Sequence, residues 1–210
     1  MIDTKEKWKT MYKIIALIGE AGSGKDTILD IMERKGRIYN FPFNKIISYT
    51  TRPKREGEEE GVNYYYVSDE EFKNMIDDDK IFEYTEFNNW FYGTGIKSLD
   101  SNKINIGVFN PAGIRNMLKN KEVDLRIFYI EVPAKERLIR QLLRENKPNI
   151  DEIIRRYQTD KEDFSSFGFK YYSINNSDGK YLEDIVYKII SIGSLSSNSS
   201  KLAGAMDEDN

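Results

Sequence analysis

Uninterrupted apolar runs and helically spaced apolar residues alternate along most of the chain. Residues 14–18 are all apolar, which fits a central parallel strand covered on both faces, because a half-exposed strand would alternate polar and apolar positions. Residues 104–109, 124–132 and 170–174 are further strand-like runs. Helical spacing separates them, so the pattern predicts an α/β fold with a central parallel sheet.

Caps and spacing place the helices. Apolar residues after Lys25 share one helical face, and Gly36 is placed to end that helix. Residues 68–71 form a capping box for a short helix, and strand-like segments at 45–50, 63–67 and 81–87 surround it. Pro133 fits the start of a helix that runs to about residue 146. Two later helices each have four residues that their spacing predicts to face inward: Ile150, Ile153, Ile154 and Tyr157 in the first, and Leu182, Ile185, Val186 and Ile189 in the second.

Composition narrows the chemistry that the chain can perform. Among 210 residues there is no cysteine and no histidine, which excludes disulfides, thiol nucleophiles, histidine acid–base catalysis and ordinary zinc sites. The formal net charge of −3 argues against general nucleic-acid binding. No segment resembles a signal peptide or has the length of a membrane span, so we expect a cytoplasmic protein without a membrane partner. The sequence does not indicate an oligomeric state.

A glycine-rich loop connects the first strand to the first helix. Residues 19–25 read Gly-Glu-Ala-Gly-Ser-Gly-Lys, so the backbone can turn tightly and direct successive N–H groups at an anion. The helix that follows adds unbonded N–H groups and Lys25, which together favour a phosphate. The loop resembles the P-loop of nucleoside-triphosphate enzymes, except that Asp26 stands where a magnesium-binding Ser or Thr is expected. Thr27 follows, as in the Gly-Lys-Asp-Thr loops of some nucleoside monophosphate kinases; the alternative is a glycine-rich turn without a ligand.

The segment 48–94 combines clustered basic residues with tyrosines and acidic residues. It resembles the GMP-binding segment of guanylate kinases, S-x-T-T-R-x-x-R-x-G-E-x-x-G-x-x-Y-x-F-V followed by F-x-E and Y-G-[ST]. The positions that match are Ser48, Thr50, Thr51, Arg52, Arg55, Gly57, Glu58, Gly61, Tyr64, Val67, Glu83, Tyr92, Gly93 and Thr94. Tyr66 in place of Phe is the one core mismatch, and the similarity covers about residues 13–192. The alternative is that these charges only pair on a solvated surface.

The resemblance implies a guanine nucleotide as the phosphoryl acceptor. Guanine presents two neighbouring donors beside the O6 acceptor, a combination that a carboxylate next to a hydroxyl can recognise. By similarity, Glu83 takes the two donors and Ser48 serves O6, while arginines and tyrosines grip the monophosphate. The GMP-binding residues implied are Ser48, Arg52, Arg55, Tyr64, Glu83, Tyr92, Gly93, Thr94 and Asn110.

The same resemblance implies ATP with Mg²⁺ as the phosphoryl donor. The ATP-binding residues implied are Glu20, Ala21, Gly22, Ser23, Gly24, Lys25, Asp26, Thr27 and Asn176. Asp26 and Thr27 are the metal contacts expected, with the magnesium held mainly by ATP and water. The catalytic residues implied are Lys25, Arg52, Arg140, Arg144 and Arg156, of which the last three belong to an arginine-rich helical lid. Alternatively, those three arginines only solvate two amphipathic helices.

Two positions depart from the family pattern. The strand at 104–109 usually leads into an Asp-x-Asp pair in guanylate kinases, and Val108 and Asn110 stand there in this chain. This departure weakens the inference of a guanine contact from this side and of outer-shell support for the metal. We hypothesise that Asp26 partly replaces the lost carboxylate near the metal.

We therefore predict a three-layer P-loop NTPase fold with a central parallel sheet, a small mixed GMP-binding insert and a helical lid. A polar extension covers residues 1–12, the domain covers 13–193 and a disordered tail covers 194–210. Within the domain, the core is 13–47 and 95–193, the insert is about 48–94 and the lid is about 137–160.

The predicted activity is the ATP-dependent phosphorylation of GMP, and also of dGMP, by direct in-line transfer. The acceptor phosphate is already anionic, so no side-chain base is required. Three alternatives stay open: a kinase for another nucleoside monophosphate, a kinase for a sugar phosphate, and a non-catalytic guanylate-kinase-like module that binds phosphorylated proteins. Such modules typically lack the P-loop lysine and glycines, which this chain has.

Overall fold

A five-stranded parallel sheet forms the centre of the chain, and a four-stranded mixed sheet lies beside it. The computed structural model describes residues 11–55, 57–87, 89–144, 146–177 and 181–194. In this part of the chain the strands are β1 (Tyr12–Ile18), β2 (Phe43–Lys45), β3 (Tyr49–Thr50), β4 (Tyr65–Tyr66), β5 (Ile81–Phe87), β6 (Trp90–Gly95), β7 (Ile104–Val108), β8 (Val123–Glu131) and β9 (Tyr172–Asn175). The α-helices are α1 (Lys25–Ile38), α2 (Asp69–Asp77), α3 (Pro111–Met117), α4 (Ala134–Arg144), α5 (Ile150–Asp163) and α6 (Leu182–Ser194).

The central sheet has the strand order β2-β7-β1-β8-β9, and all of its neighbouring strands are parallel. Alternate residues of β1 face opposite sides of the sheet. Ile15 and Leu17 pack with apolar residues of α1 and α6, whereas Ile14 and Ile18 pack with residues of α3. Helices thus cover both faces, and the predicted three-layer architecture is confirmed.

The mixed sheet has the order β4-β3-β6-β5 and is built from the segment predicted as the insert. Helix α2 covers it by placing Phe72, which is fully buried, against Phe91. The predicted capping box starts α2, because Ser68 accepts from the Glu71 N–H while the Glu71 carboxylate accepts from the Ser68 N–H. A Cβ on Gly93 would lie 2.9 Å from the Phe72 ring, so this position of β6 has no room for a side chain.

Several predicted element bounds were wrong. The run 45–50 is not one strand, because Ile46 enters the core of the large sheet while Tyr49 pairs with Gly93 in the small one. The segment predicted at 63–67 is a strand only at Tyr65–Tyr66. Gly36 does not end α1, which continues to Ile38.

Two inward predictions on α5 were also wrong. Ile153 is buried, but Ile150 and Ile154 are 48% and 49% exposed. The predicted polar extension ends early, since Tyr12 already belongs to β1. Residues 1–10 of that extension and 195–210 of the predicted tail lie outside the described residues.

Among the described helices, none combines the length and apolar character needed to cross a membrane.

Candidate active site

The carboxyl ends of the parallel strands gather predicted site residues at one edge of the central sheet. β1 ends at Ile18 and leads into the glycine loop, while β7 ends at Val108, two residues before Asn110. β9 ends at Asn175, directly before Asn176. Because parallel strands run in the same direction, these segments meet at one edge, which is where open α/β sheets bind ligands.

The glycine loop is held in one conformation by its neighbours. Gly22 and Gly24 have φ angles of 81° and 86°, in the left-handed region that favours glycine. A Cβ on Gly22 would lie 2.6 Å from the carbonyl oxygen of Arg137, and one on Gly24 would lie 2.7 Å from the Nδ2 atom of Asn176. Both positions therefore exclude larger residues on conformational and on steric grounds.

The loop ends at the N-terminus of α1. Gly24 is the N-cap and provides no side-chain cap, so the first N–H groups of the helix keep their capacity to bind an anion. The Lys25 side chain is 18% exposed, and its ammonium lies 4.0 Å from the carboxylate of Asp26, whose side chain is 79% exposed. Thr27 is also exposed. The N–H groups and the ammonium form the positive end of the site.

Two predicted ligand-binding residues instead support the loop from outside. Asn176 is 2% exposed and donates from Nδ2 to the Ser23 carbonyl at 2.8 Å. Arg140 donates to the Asn176 carbonyl at 2.7 Å and to the Gly22 carbonyl at 3.4 Å. The Nδ2 of Asn176 and the guanidinium of Arg140 thus donate to backbone carbonyls, while Oδ1 of Asn176 is buried without a hydrogen-bond partner in the described part of the chain.

Glu20 and Ala21 are tied to neighbouring elements. Glu20 accepts from the Tyr129 hydroxyl at 2.7 Å and forms a 3.0 Å ion pair with Arg137. Burial raises the pKa of Tyr129, and its bond to Glu20 adds to this. The Ala21 carbonyl accepts from Gln141 at 3.3 Å. Beside these residues lies a cavity of about 420 Å³, lined by Tyr129, Glu131, Val132, Pro133, Asn175 and Ser177.

Arg52 lies at the centre of the predicted anion site on the small sheet. It is 4% exposed, and its guanidinium donates to the Glu58 carboxylate at 2.8 Å. Glu58 also accepts from the Tyr66 hydroxyl and from the Arg55 N–H, both at 2.8 Å. Burial alone would raise the pKa of Glu58, but these hydrogen bonds lower it to about 2. Glu58 is therefore ionised at neutral pH and fixes the orientation of Arg52.

Two predicted tyrosines lie next to this arginine. The Tyr64 ring centroid is 5.4 Å from the Arg52 guanidinium carbon, and Tyr64 packs edge-on against Tyr92 at 6.1 Å. Burial raises the pKa of both phenols, so both stay neutral donors. The charge of Asp26 also raises the pKa of Tyr64, which puts the glycine loop within electrostatic reach of the small sheet.

Glu83 is a buried carboxylate with one free oxygen. It is 8% exposed, and its Oε1 accepts from the Thr94 hydroxyl at 2.8 Å across the β5–β6 pair. Its Oε2 is buried without a hydrogen-bond partner in the described part of the chain. Burial raises the pKa of Glu83 to about 7, although the bonds from Thr94 act in the opposite direction. A buried acceptor that lacks a partner is costly, and such groups are typical of ligand sites.

Asn110 lies next to Glu83, while Ser48 lies at the start of the small sheet. The Asn110 side chain caps α3 by accepting from the Gly113 N–H at 2.7 Å. A Cβ on Gly113 would lie 3.2 Å from Oδ1 of Asn110 and 3.4 Å from Oε2 of Glu83. Ser48 directly precedes β3, and its carbonyl accepts from the Tyr65 N–H at 2.9 Å.

Helix α5 adds a second group of arginines. Glu152 accepts from Arg155 at 2.6 Å and from Arg156 at 2.8 Å, and its carboxylate lies 3.4 Å from Arg55 of the small-sheet segment. Hydrogen bonds from Arg155 and Arg156 lower the pKa of Glu152 to about 2. Burial lowers the pKa of Arg55, and repulsion from Arg156 and Arg52 lowers it further. Three arginines thus converge between α5 and the small sheet.

Comparisons with known proteins identify the family of this chain. The profile of the family described as guanylate kinase matches residues 11–192. The chain belongs to the guanylate kinase family. A guanylate kinase of Malacoplasma penetrans is 34% identical over 189 residues, which cover 85% of this chain and 92% of the relative. A guanylate kinase of Blochmanniella floridana is 34% identical over 140 residues, which cover 63% of this chain and 65% of the relative.

A solved structure supports the fold assignment. The crystal structure of guanylate kinase from Anaplasma phagocytophilum matches with a TM-score of 0.62 and 22% identity, covering 88% of this chain and 85% of that one. The P-loop NTPase fold predicted from the sequence is confirmed. As a member of the guanylate kinase family, the protein is an enzyme, a nucleoside monophosphate kinase.

One residue predicted from the family resemblance lies apart from the others. Arg144 is exposed at the end of α4 and has no contact with the other predicted site residues in the described part of the chain. Arg156 and Arg55 both contact the carboxylate of Glu152. The roles of Arg140, Arg144 and Arg156 in a lid stay predictions.

Sequence reasoning missed three residues of α5. Glu152 and Arg155 could have been found, because acidic and basic residues three or four apart on a helix pair with each other. Asp160 accepts from the Ala21 N–H at 2.6 Å, although 139 positions separate the two residues. No local pattern in the sequence signals that contact.

Proposed function

We propose that this guanylate kinase family member transfers the γ-phosphoryl group of ATP to GMP, and also to dGMP. The observation that carries the proposal is the free Oε2 of Glu83, a buried acceptor beside the Thr94 hydroxyl. Guanine offers the neighbouring N1–H and 2-amino donors that such a carboxylate needs. Adenine would instead set its N1 acceptor against the carboxylate and leave buried groups unpaired, which is strongly unfavourable.

The chain's own residues would act by positioning and charge neutralisation. Lys25 and the N–H groups at the start of α1 would bind the donor phosphates, while Arg52 and the neutral phenols of Tyr64 and Tyr92 would hold the acceptor phosphate. Arg156 would reach the group in transfer from α5. No side-chain base is needed, because the acceptor oxygen is already anionic.

The side-chain oxygens of Asp26 and Thr27 fit a magnesium ion that enters with the nucleotide. Asp26 offers one exposed carboxylate beside the loop, and the described residues contain no cluster of three acidic groups that could hold a metal alone. Mg²⁺ commonly uses one or two carboxylates together with substrate phosphates. Asp26 and Thr27 would hold the ion, which neutralises phosphate charge when it is bound.

Another purine monophosphate is the second candidate, and Asn110 favours it. Its Oδ1 already accepts from Gly113, so the side chain offers only N–H donors toward the base. A base with an acceptor at position 2, such as xanthine, would suit a donor there. The free acceptor of Glu83 argues for guanine over that base, because xanthine lacks the 2-amino donor.

A substrate panel tests the proposal. With MgATP, we expect ADP release to require GMP or dGMP, with far slower turnover on AMP, CMP or XMP, because only guanine satisfies Glu83. A coupled assay for ADP measures this directly. Turnover with AMP or CMP but not with GMP would reject guanine as the base, and failure to bind ATP would favour a non-catalytic binding module.

GMP affinity is expected to fall as the pH drops below 7. Only the ionised carboxylate of Glu83 accepts both guanine donors, and its pKa is about 7. Protonation should therefore weaken GMP binding about tenfold between pH 8 and pH 6. Calorimetric titration with GMP across this range measures the effect.

The phosphate of GMP also titrates near pH 6, so a control is needed. Glu83→Gln removes the carboxylate but leaves the ligand unchanged, and its remaining pH dependence belongs to GMP itself. We expect the variant to lose most of the tenfold change. Equal pH profiles for the two proteins would show that Glu83 does not read the base.

A further inference from the structure

Helix α5 contacts both the glycine loop and the small-sheet segment through carboxylates. Asp160 accepts the Ala21 N–H of the glycine loop at 2.6 Å. Glu152 lies 3.4 Å from Arg55 of the small-sheet segment. The two residues are eight positions apart, which corresponds to about 12 Å along a helix. One rigid helix therefore joins the two sites.

We propose that Asp160 is an internal competitor of the ATP phosphates, held against the glycine loop by α5, and that ATP must displace it to bind. This inference rests on the proposed function, because it assumes that the loop receives the donor phosphates. A carboxylate oxygen and a phosphate oxygen are the same kind of acceptor. They cannot both take the Ala21 N–H from the same side.

The geometry of the contact supports competition. A length of 2.6 Å is short for an N–H donor and an oxygen acceptor, as expected when the acceptor is charged. Lys25 and Arg155 both interact electrostatically with Asp160, so the carboxylate lies among the positive charges that would attract a phosphate. The Asp160 carboxylate is therefore attracted by the same N–H and positively charged groups as the phosphates of ATP.

The local environment also makes the contact reversible. Burial raises the pKa of Asp160, and neither the Ala21 N–H nor the charge of Lys25 fully offsets that effect. The ionised carboxylate is therefore less well stabilised here than in water, whereas a triphosphate brings more charge to the same donors. Exchange of one anion for the other favours the nucleotide once it is present at sufficient concentration.

Glu152 is the second attachment of the helix. Its bonds to Arg155 and Arg156 lie within α5, but its approach to Arg55 connects α5 to the small-sheet segment. This link keeps α5 close to the small-sheet segment and so raises the effective concentration of Asp160 at the glycine loop. Removing the contact between Glu152 and Arg55 should therefore tighten ATP binding only while Asp160 is present.

Calorimetric titration with MgATP tests the proposal. We expect Asp160→Asn to bind MgATP about fivefold tighter than the unmodified protein, which corresponds to about 1 kcal/mol. Asp160→Ala should bind at least as tightly, because it removes the competing acceptor altogether. Asp163→Asn, an equal change of charge near the end of the same helix, should have the affinity of the unmodified protein.

A double variant tests whether Glu152 affects ATP binding through Asp160 or only through its charge. In the Asp160→Asn background, adding Glu152→Gln should leave the affinity for MgATP unchanged, whereas Glu152→Gln alone should tighten it about twofold, an example of non-additive coupling. Glu162→Gln, an exposed change on the same helix, measures the effect of charge alone. Thermal unfolding of each variant identifies any that fail to fold, and Asp160→Asn and Asp160→Ala serve as replacements for each other.

The outcomes separate this inference from the proposed function. If the unmodified protein binds no MgATP, the proposed function fails. If it binds MgATP and phosphorylates GMP, but neither Asp160 variant binds MgATP more tightly than Asp163→Asn, the competition is wrong. Tighter binding by Asp163→Asn to the same extent would also overturn it, because the effect would then be one of net charge.

Discussion

Lys25→Met is expected to reduce kcat/KM for phosphoryl transfer by about 10³-fold, since removing one preorganised charged donor at a transition state typically costs 10²–10³. The Lys25 ammonium lies at the N-terminus of α1, where the helix supplies its own positive field. Methionine keeps the length of the side chain but cannot neutralise charge that develops on the phosphates. Steady-state kinetics with saturating GMP measure the loss.

Folding of this variant should be almost unaffected. The ion pair of Lys25 with Asp26 is 4.0 Å long and involves a carboxylate that is 79% exposed, so its contribution to stability is small. Lys188→Met, which changes an exposed lysine of α6, is the matched control and should retain full activity. A Lys25→Met enzyme with near-normal kcat/KM would contradict the assignment of the glycine loop as the donor site.

Glu83→Gln is expected to reduce kcat/KM for GMP by about 10²- to 10³-fold, because hydrogen bonds to a charged group contribute about 1.5–3 kcal/mol each. Glutamine can accept one guanine donor but sets its own N–H₂ against the other. Glu86→Gln lies on the same strand with an exposed side chain and should behave like the unmodified enzyme. Equal losses in the two variants would show that the effect is not specific to position 83.

The same substitution should stabilise the fold at high pH. The pKa of Glu83 is raised to about 7 in the folded protein, so the protonated acid favours folding below about pH 4.5 and this contribution is lost as the pH rises through 7. Glutamine carries no such pH dependence. We expect the free energy of unfolding of Glu83→Gln, measured relative to that of the unmodified protein, to be up to about 3 kcal/mol higher at pH 8 than at pH 4.5. Denaturant unfolding at both pH values checks this.

Loss of substrate binding together with a gain in stability would mark Glu83 as a residue kept for recognition. A variant that lost both activity and stability at pH 8 would indicate a structural role instead, because the buried carboxylate would then be part of the core network. Thr94→Val offers a further comparison, since it removes the hydroxyl partner of Glu83 but leaves the charge.

Local features of the fold could be predicted from the sequence, because their signals lie within a few residues. The run 14–18, the glycine loop and the start of α1 are contiguous, and the Ser68 cap needs only the residue three positions later. The split of residues 45–50 could not be predicted in this way. Ile46 and Tyr49 join different sheets whose other strands lie far along the chain.

The candidate site shows the same limit. The family resemblance identified Glu83 as a recognition residue, but its free oxygen depends on the strand pairing that sets it opposite Thr94. The same resemblance assigned Arg140 to the transferring group, whereas in the structure its guanidinium donates to the carbonyls of Gly22 and Asn176. Which donors a side chain satisfies is decided by packing between distant elements, and a single sequence does not record it.

The most direct test of the account is a competition in one reaction. The enzyme is given ATP labelled at the γ-phosphate with equal concentrations of GMP and AMP, and the initial rates of label appearing in GDP and in ADP give the ratio of the two kcat/KM values. We expect the label to appear in GDP at least about 100-fold faster than in ADP, because the buried carboxylate of Glu83 cannot pair with adenine. Label divided evenly between the two products, or found mainly in ADP, would contradict it.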